Sequence, residues 1–393
     1  MKDISLVILA GGKGKRIKKY SKGRPKPLLK FNGITFLNLI INNFSKYNFN
    51  KIYILCGYRG HLFKKYNGKF YNSIRVEVVR EKSPLGTGGC LLALKKKIKN
   101  DFILVNGDTF CGVNIKKFID SKPKKTSIHL ALVKNKTYLT NNQLVNLNID
   151  KNKTVLIKGK SKLMSAGIIF FKRKILMQLR KNFFSLEQFL IPQYISKKLV
   201  SGLIVKNFFL DIGTPKNYLF AVKNIKNILF KKAIFLDRDG VVNKDTGYVS
   251  KFKNFIFKKG VLAGLKYLVK KNYYIFIITN QAGIAKKKFS IDDYIKLNYN
   301  LKFYLAKRNI YFNEVKFCPH HPKGLDARYR SNCSCRKPRN KMLKEIFNEW
   351  FIDKKASFMI GDKNKDRLAA KKSRIKFFYA QENLYKQLKK ICT

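Results

Sequence analysis

Short apolar runs alternate with helically spaced segments along the first half of the chain. ISLVILA, KIYILCG, IRVEVV and DFILVNGD are each short, rich in β-branched and aliphatic residues, and predict strands. TFLNLIINNFSKY and TGGCLLALKKKIK between them carry helical spacing. Strand–helix alternation of this kind predicts a mostly parallel sheet covered on both faces. The pattern restarts near residue 232, where KKAIFLD, YYIFIITN and KASFMIGD predict three further strands separated by helical segments. Each of these ends in a polar residue, and open α/β sheets bind ligands at the carboxyl ends of their strands. The expectation is two Rossmann-like α/β domains, 1–229 and 230–393, with the helix after Thr214 running into the second without a Pro/Gly/Ser-rich linker. A chain of 393 residues is long for one core, which agrees with two.

Composition narrows the class. The chain is 45% hydrophobic and 13% aromatic, which is globular rather than disordered. No apolar run reaches the roughly 18 residues of a membrane span. The first apolar run is short and ends in glycines and basic residues rather than a cleavage site, so a cytoplasmic protein without a membrane partner is expected. Seven mostly scattered cysteines argue against a secreted disulfide framework. The net charge of +63, from 85 Lys+Arg against 22 Asp+Glu, raises a nucleic-acid or anionic-membrane partner. The lysines are dispersed, with no run longer than three, amid abundant Asn, Ile, Phe and Tyr. A compositional drift therefore accounts for the charge better than a binding patch does.

The stretch CPHHPKGLDARYRSNCSCRKP holds three of the seven cysteines and two of the four histidines. Cys318 and a following histidine make one close pair, and Cys333 and Cys335 another, joined by a loop. Two close N/S pairs suit a closed tetrahedral zinc site. Either His320 or His321 supplies the imidazole on spacing alone.

In the same half, AIFLDRDGVVN places Asp237 and Asp239 just past a strand, ITNQAGI ends a strand with Thr279 and Asn280, CRKP supplies Lys337, and FMIGDKNKD gives Asp362 and Asp366. Together and in this order they resemble the haloacid-dehalogenase superfamily of phosphatases. The resemblance implies Asp237 as nucleophile, Asp239 as general acid/base, Thr279 and Lys337 on the phosphoryl group, and Asn280 and Arg336 in substrate binding. It implies Mg²⁺ on Asp237, Asp362 and the main-chain carbonyl of Asp239, with Asp366 orienting the metal shell. Residues 232–378 further resemble D-glycero-D-manno-heptose 1,7-bisphosphate 7-phosphatases, a family pattern that selects His320 beside Cys318, Cys333 and Cys335 as zinc ligand and lacks a large cap.

In the first half, LVILAGGKGKR is a strand and a glycine-rich turn, followed by GRPKPLL. Glycines there let main-chain N–H groups approach phosphate oxygens. The pattern from Gly11, Gly12 and Gly14 through Arg16 to Lys26, with EKSPLGTGGC, VNGDTF, SAGIIFF and FFLDIGTPKNY, resembles sugar-1-phosphate nucleotidyltransferases with a GT-A-like sheet. It implies Arg16 and Lys26 on the triphosphate and leaving group, and Glu81, Gly86, Thr87 and Gly88 around base and ribose. It also implies Gly167 and Lys158 beside the sugar phosphate, and Mg²⁺ on Asp108 and Asp211. Ile157 stands where that family carries Glu before Lys158. SPLGTGG and VNGDTF most resemble the D-glycero-α-D-manno-heptose 1-phosphate guanylyltransferases, which implies GTP as the second substrate. The combined expectation is consecutive dephosphorylation and nucleotidyl transfer on one heptose. The same reactions on another sugar or polyol phosphate, or a nucleic-acid-binding polynucleotide phosphatase, are the alternatives.

Overall fold

Continuous apolar strands require cover on both faces, and the chain meets this in two separate α/β units. In a computed structural model, residues 4–81, 83–134, 146–157, 163–180 and 183–392 are described. One unit comprises Met1–Asn43 and Phe49–Ile225, the other Phe44–Asn48 and Lys226–Thr393. The division falls inside the helix Pro215–Leu229.

In the first unit, Ser5–Leu9 pairs in parallel with Lys51–Cys56 on one side and Phe102–Asn106 on the other. Ile74–Arg80 adds in parallel outside Lys51–Cys56. Leu6, Val7 and Ile8 have no exposed surface, as expected of a central strand covered on both faces. Because these four strands run the same way, Gly11, Gly57, Glu81 and Asp108 all follow carboxyl ends on one edge of the sheet. Beyond Phe102–Asn106 the sheet turns antiparallel, through Leu163–Phe171, which pairs with both Phe102–Asn106 and Ile128–Lys134. The register of Leu163–Phe171 breaks between Ser165 and Ile169, around Gly167 with φ 67°. A Cβ there would lie 2.7 Å from Asn106 Nδ2, so the bulge brings the backbone up to the strand that leads to Asp108. A separate ribbon pairs Phe209–Asp211 antiparallel with Thr109–Cys111, opposing Asp211 to Thr109.

TGGCLLALKKKIK is not one helix. A single turn, Gly86–Gly89, is followed by the 3₁₀ segment Cys90–Leu94. Leu91, Leu94 and Ile98 are buried at the spacing that suggested a helix. The glycines instead allow a close approach: a Cβ on Gly88 would fall 2.1 Å from the Phe184 ring. Glycine also disfavours helix continuation.

The second unit is a five-stranded parallel sheet in the order Glu314–Cys318, Tyr274–Asn280, Ala233–Leu236, Phe358–Gly361, Lys376–Tyr379. The first and last of these extend the three strands expected from the sequence. Ala233–Leu236 is central and fully buried. Parallel alignment puts Asp237, Asn280, Cys318 and Asp362 at one edge, with Val261–Lys270 and Lys341–Glu349 among the covering helices. Among the described residues, no helix is long and apolar enough to cross a membrane.

Candidate active sites

Asp237 follows the central strand of the second unit and is 5% exposed. Its Oδ1 accepts from Lys337 Nζ at 2.9 Å and from the Arg238 N–H at 2.7 Å. Both of these contacts go to Oδ1 rather than Oδ2. Lys337 Nζ also meets Asp366 Oδ1 at 2.6 Å and donates to the Ile278 carbonyl at 2.7 Å. Asn280 fixes this lysine from behind, donating to its carbonyl at 3.1 Å and accepting its N–H at 3.0 Å. Burial pushes the Asp237 carboxyl up to about 6 against the pull of Lys337, and Asp366 adds to the rise. Burial opposes the charge of Lys337, but Asp237 and Asp366 outweigh it and hold the ammonium above its ordinary value.

Asp239 is held by more donors than the sequence reveals. Arg238 Nε and Nη2 reach its Oδ1 at 3.1 and 2.9 Å, and Asn243 Nδ2 reaches it at 3.0 Å. Gln281 Nε2 donates to Oδ2 at 2.9 Å and to Thr279 Oγ1 at 2.8 Å. Arg238 is 1% exposed and lies over the Tyr294 ring. Neither Arg238 nor Gln281 was singled out from the sequence, although each abuts a residue that was.

Carboxylate oxygens of Asp237, Asp362 and Asp366 lie within 4.8 Å of one another. Asp362 Oδ1 is buried without a hydrogen-bond partner among the described residues. Burial raises the Asp362 carboxyl as well. Three crowded carboxylates, one with an orphaned oxygen, fit a divalent cation with oxygen ligands. Asp366 also accepts the Lys363 N–H at 3.1 Å, so it caps the start of the helix Asn364–Ser373 while reaching the site. A cavity of about 300 Å³ opens over Asp237, Asp239 and Thr279, walled by Lys286, His321, Arg336, Lys363 and Lys365.

The cysteine cluster stands at the end of the Glu314–Cys318 strand. Cys318, Cys333 and Cys335 sulfurs are 3.2–3.4 Å apart, and His320 Nδ1 is 3.8 Å from Cys318 Sγ and 3.4 Å from Cys335 Sγ. No cysteine is in a disulfide. Tetrahedral zinc–thiolate bonds of about 2.3 Å separate sulfurs by roughly 3.7 Å, so the set fits that ion with a small expansion. Hydrogen bonding with Cys335 pushes the Cys318 thiol up, and the same contact holds Cys335 down to about 5. A metal at this site would bind the cysteines as thiolates. His321 is not in the cluster: its Nδ1 accepts the Lys323 N–H and its ring lines the cavity. Arg336 is tied to the clip by donating to the His320 carbonyl at 3.2 Å.

In the first unit a cavity of about 520 Å³ lies across the strand ends, lined by Gly11, Gly12, Lys13, Lys26, Tyr58, Glu81, Ser83–Thr87, Asn106 and Asp108. Gly14 has φ 64°, turning the chain so that Lys26 packs beside it. Lys26 Nζ meets Asp108 Oδ2 at 2.6 Å. The Ile212 N–H donates to the Asp108 carbonyl, and with the Thr109–Asp211 pairing this sets Asp211 next to Asp108. Burial and then Asp108 raise the Asp211 carboxyl to about 7, against the Gly213 N–H, Lys26 and Arg16. Two adjacent carboxylates, one raised by the other, fit a divalent cation. A Cβ on Gly213 would lie 3.3 Å from Lys26 Nζ and 3.6 Å from Arg16 Nη2, so both cations border this pair. Thr87 Oγ1 is committed to Glu187 Oε2 at 2.6 Å and to the Leu186 N–H. Gly86, at φ 76°, and Gly88 pack on Phe184. Lys158 lies outside the described residues.

A cation-bordered acidic pair beside a glycine turn, and a buried Asp–Lys–Asp array beneath a second cavity, define a nucleotidyltransferase joined to a phosphomonoesterase. Residues 5–228 match the family described as nucleotidyl transferase, and residues 233–384 match that described as polynucleotide kinase 3 phosphatase. A D-glycero-beta-D-manno-heptose-1,7-bisphosphate 7-phosphatase of Pasteurella multocida is 42% identical over 146 residues, 37% of this chain and 79% of that protein. The Escherichia coli K12 protein of the same name is 41% identical over 138 residues, 35% of this chain and 72% of its own length. The structure of HddC from Yersinia pseudotuberculosis is 27% identical and covers 56% of this chain and 99% of its own, with a TM-score of 0.48. That of the D,D-heptose 1,7-bisphosphate phosphatase from B. bronchiseptica is 26% identical over 40% of this chain and 86% of its own, with a TM-score of 0.35. The chain belongs to the nucleotidyl transferase family and, through its second unit, to the family of heptose-1,7-bisphosphate 7-phosphatases.

Proposed function

We propose that the second unit removes the 7-phosphate of D-glycero-D-manno-heptose 1,7-bisphosphate and that the first transfers GMP from GTP to the resulting heptose 1-phosphate. The observation that carries this reading is Lys337, wholly buried between Asp237 and Asp366 beneath a cavity with further basic walls. Such an array serves an anionic group approaching Asp237. The identity with heptose bisphosphate phosphatases supports the sugar, and the SPLGTGG and VNGDTF motifs support the acceptor and GTP.

Asp237 Oδ2 attacks phosphorus, the bond from phosphorus to the sugar oxygen breaks, and that oxygen takes a proton from Asp239. The product is an aspartyl-phosphate. Asp239 then removes a proton from water, whose oxygen attacks the same phosphorus and frees phosphate. Arg238, Asn243 and Gln281 aim the Asp239 carboxyl, and it must exchange one of these donors for the leaving oxygen. Lys337 balances charge on the phosphoryl group and Thr279 donates to one of its oxygens. Magnesium held by Asp237, Asp362 and the Asp239 carbonyl, with Asp366 orienting its shell, neutralises phosphoryl charge when bound.

In the first unit a phosphate oxygen of the sugar attacks the α-phosphorus, and the bond to the β-phosphate breaks with loss of pyrophosphate. No covalent enzyme intermediate forms, and alignment with charge balance supplies the rate. Lys26, Arg16 and the glycine-turn N–H groups take up the charge on pyrophosphate. Asp108 and Asp211 would hold a divalent cation, which would supply charge neutralisation at the reacting phosphates, and Gly167 shapes the sugar end.

The relatives carry the beta anomer in their names, so consecutive reactions require the first unit to accept whichever anomer the second releases. The test supplies each anomer of heptose 1,7-bisphosphate with Mg²⁺ and each nucleoside triphosphate in turn. Asp237→Asn should lower phosphate release by at least about a thousandfold and leave nucleotidyl transfer from heptose 1-phosphate intact. Asp108→Ala should do the reverse. Loss of both activities from either change would overturn two independent sites, and no phosphate release from any sugar bisphosphate would overturn the phosphatase assignment.

A further inference from the structure

Lys365 lines the cavity over Asp237, yet the chemistry proposed for Asp237 and Asp239 does not use it. It is the second residue of the helix Asn364–Ser373, half-buried, one position before Asp366. A cation is badly placed there for stability. The first turn of a helix carries partial positive charge, which favours acids and opposes lysine. Burial opposes the ammonium as well and is the largest influence on it. Asp237 and Asp366 attract it, whereas Lys337 and Lys363 repel it. Among the described residues Lys365 makes no hydrogen bond or ion pair that would offset these effects.

The other cations of the site are already engaged. An ammonium has three N–H groups. Three oxygens already surround Lys337 Nζ: Asp237 Oδ1 at 2.9 Å, Asp366 Oδ1 at 2.6 Å and the Ile278 carbonyl at 2.7 Å. Lys337 therefore brings charge to the phosphoryl group but no spare donor. Lys363 Nζ is held by Asp245 Oδ2 at 2.9 Å. Arg336 donates to the His320 carbonyl, and both it and Lys286 lie by His321. Lys365 combines nearness to Asp237 with uncommitted N–H groups.

Resting on the phosphatase reading above, we propose that Lys365 donates directly to an oxygen of the phosphoryl group that Asp237 receives. The two lysines then have different tasks. Lys337 lies beneath Asp237 and balances charge through it, while Lys365 reaches the group from the cavity side. A charge-assisted hydrogen bond of this kind strengthens as charge gathers on the phosphoryl oxygens in the transition state. The position that destabilises the free protein is the one that reaches the anion, as expected where function and stability conflict.

The experiment compares the full chain with Lys365→Met and Lys365→Arg in the presence of Mg²⁺. The substrates are heptose 1,7-bisphosphate and p-nitrophenyl phosphate, which carries one phosphoryl group and no second anion. Lys365→Met should lower kcat/KM for both by a similar factor, about ten- to a hundredfold, the range of one hydrogen bond to a charged group. Lys365→Arg, which keeps the charge, should retain more of the activity. Thermal scans without substrate or Mg²⁺ should show the opposite sign, with Lys365→Met raising the midpoint of the second unit by about 1–3 °C. Inorganic phosphate should stabilise the parent more than Lys365→Met. A variant that loses activity and also melts earlier would show a structural role and overturn the proposal. So would an equal phosphate shift in parent and variant, or unchanged rates on both substrates. A loss confined to the bisphosphate would set Lys365 on the other phosphate and overturn it too. No phosphate release by the parent from either substrate would overturn the phosphatase reading itself, and this proposal with it.

Discussion

Lys337 has no exposed side-chain surface and two carboxylates within 3 Å of its Nζ. Removing one partner of a buried ion pair costs about 3–5 kcal/mol, because the other charge stays behind without compensation. Lys337→Met should therefore destabilise the second unit by about that amount and abolish phosphate release. The loss depends on pH in a definite sense. Without its ammonium, Asp237, already raised to about 6, rises further and takes up a proton in acid. Denaturant titration should show a larger gap between variant and parent at pH 8 than at pH 5. Asp211 gives a second pH signature, with its carboxyl raised to about 7 by burial and Asp108. The folded state then binds this proton more tightly than the unfolded chain, whose carboxyl titrates near 4. Its contribution is full below about 4 and is lost as pH rises through 7. Metal-free protein should lose first-unit stability between pH 4 and 7. Mg²⁺ should bind more tightly across the same interval, since the ion competes with the proton. Calorimetric scans with and without Mg²⁺ check both, and Asp211→Asn should flatten the dependence.

The clip of Cys318, His320, Cys333 and Cys335 works at the scale of an element. It begins at a strand end, sends its loop onto the helix turn Ala282–Ala285, where the Ala285 carbonyl accepts the Leu325 and Asp326 N–H groups, and returns at Arg336 and Lys337. The chain on either side of the cavity is thus held by one cluster. Cys333→Ser, or removal of metal by a chelator, should lower the thermal midpoint of the second unit. It should also raise KM for the bisphosphate more than it lowers kcat, because Arg336 loses its anchor while Lys337 keeps Asp237, Asp366 and Asn280. Nucleotidyl transfer should be unaffected by Cys333→Ser. Cluster residues of this kind were legible in the sequence because ligand types and spacing are local properties. The same holds for Asp237 and Asp362, each just past an apolar run. Arg238 and Gln281 were not legible, since an arginine beside an aspartate is ordinary until burial shows it cannot face water. TGGCLLAL shows the opposite case: the neighbours of its glycines have helical spacing, while the glycines disfavour helix continuation and Gly88 makes room for the Phe184 ring. Glu314–Cys318 was overlooked for a third reason, as EVKFC is short and carries charges that a parallel strand seldom has. Glu314 and Lys316 pair with each other at 3.0 Å, Glu349 lies 3.3 Å from the same ammonium, and Trp350 Nε1 donates to Glu314 at 3.1 Å.

Over the whole molecule, the formal charge of +63 is spread along the chain rather than gathered in one tract. Both proposed substrates are multiply anionic, so the field favours their encounter, and kcat/KM for both reactions should fall as salt rises. The same field would hold nucleic acid weakly and without sequence preference, a binding that salt removes. On the proposed function, what joins the two activities is chemical: removal of one phosphate would yield a sugar 1-phosphate for the other site to consume. Each unit has its own sheet, core and acidic cluster, and the proposed function assigns each reaction to one unit. Two singly disabled chains should then replace one intact chain. An equimolar mixture of Asp237→Asn and Asp108→Ala, supplied with heptose bisphosphate, GTP and Mg²⁺, should reach the steady nucleotide-sugar output of the parent at half the total concentration. It should show the same initial lag while heptose 1-phosphate accumulates. Added phosphate-labelled heptose 1-phosphate should dilute the product equally in both cases. A parent enzyme that shows no lag and resists this dilution, while the mixture does neither, would mean that the sugar passes between sites without entering solution.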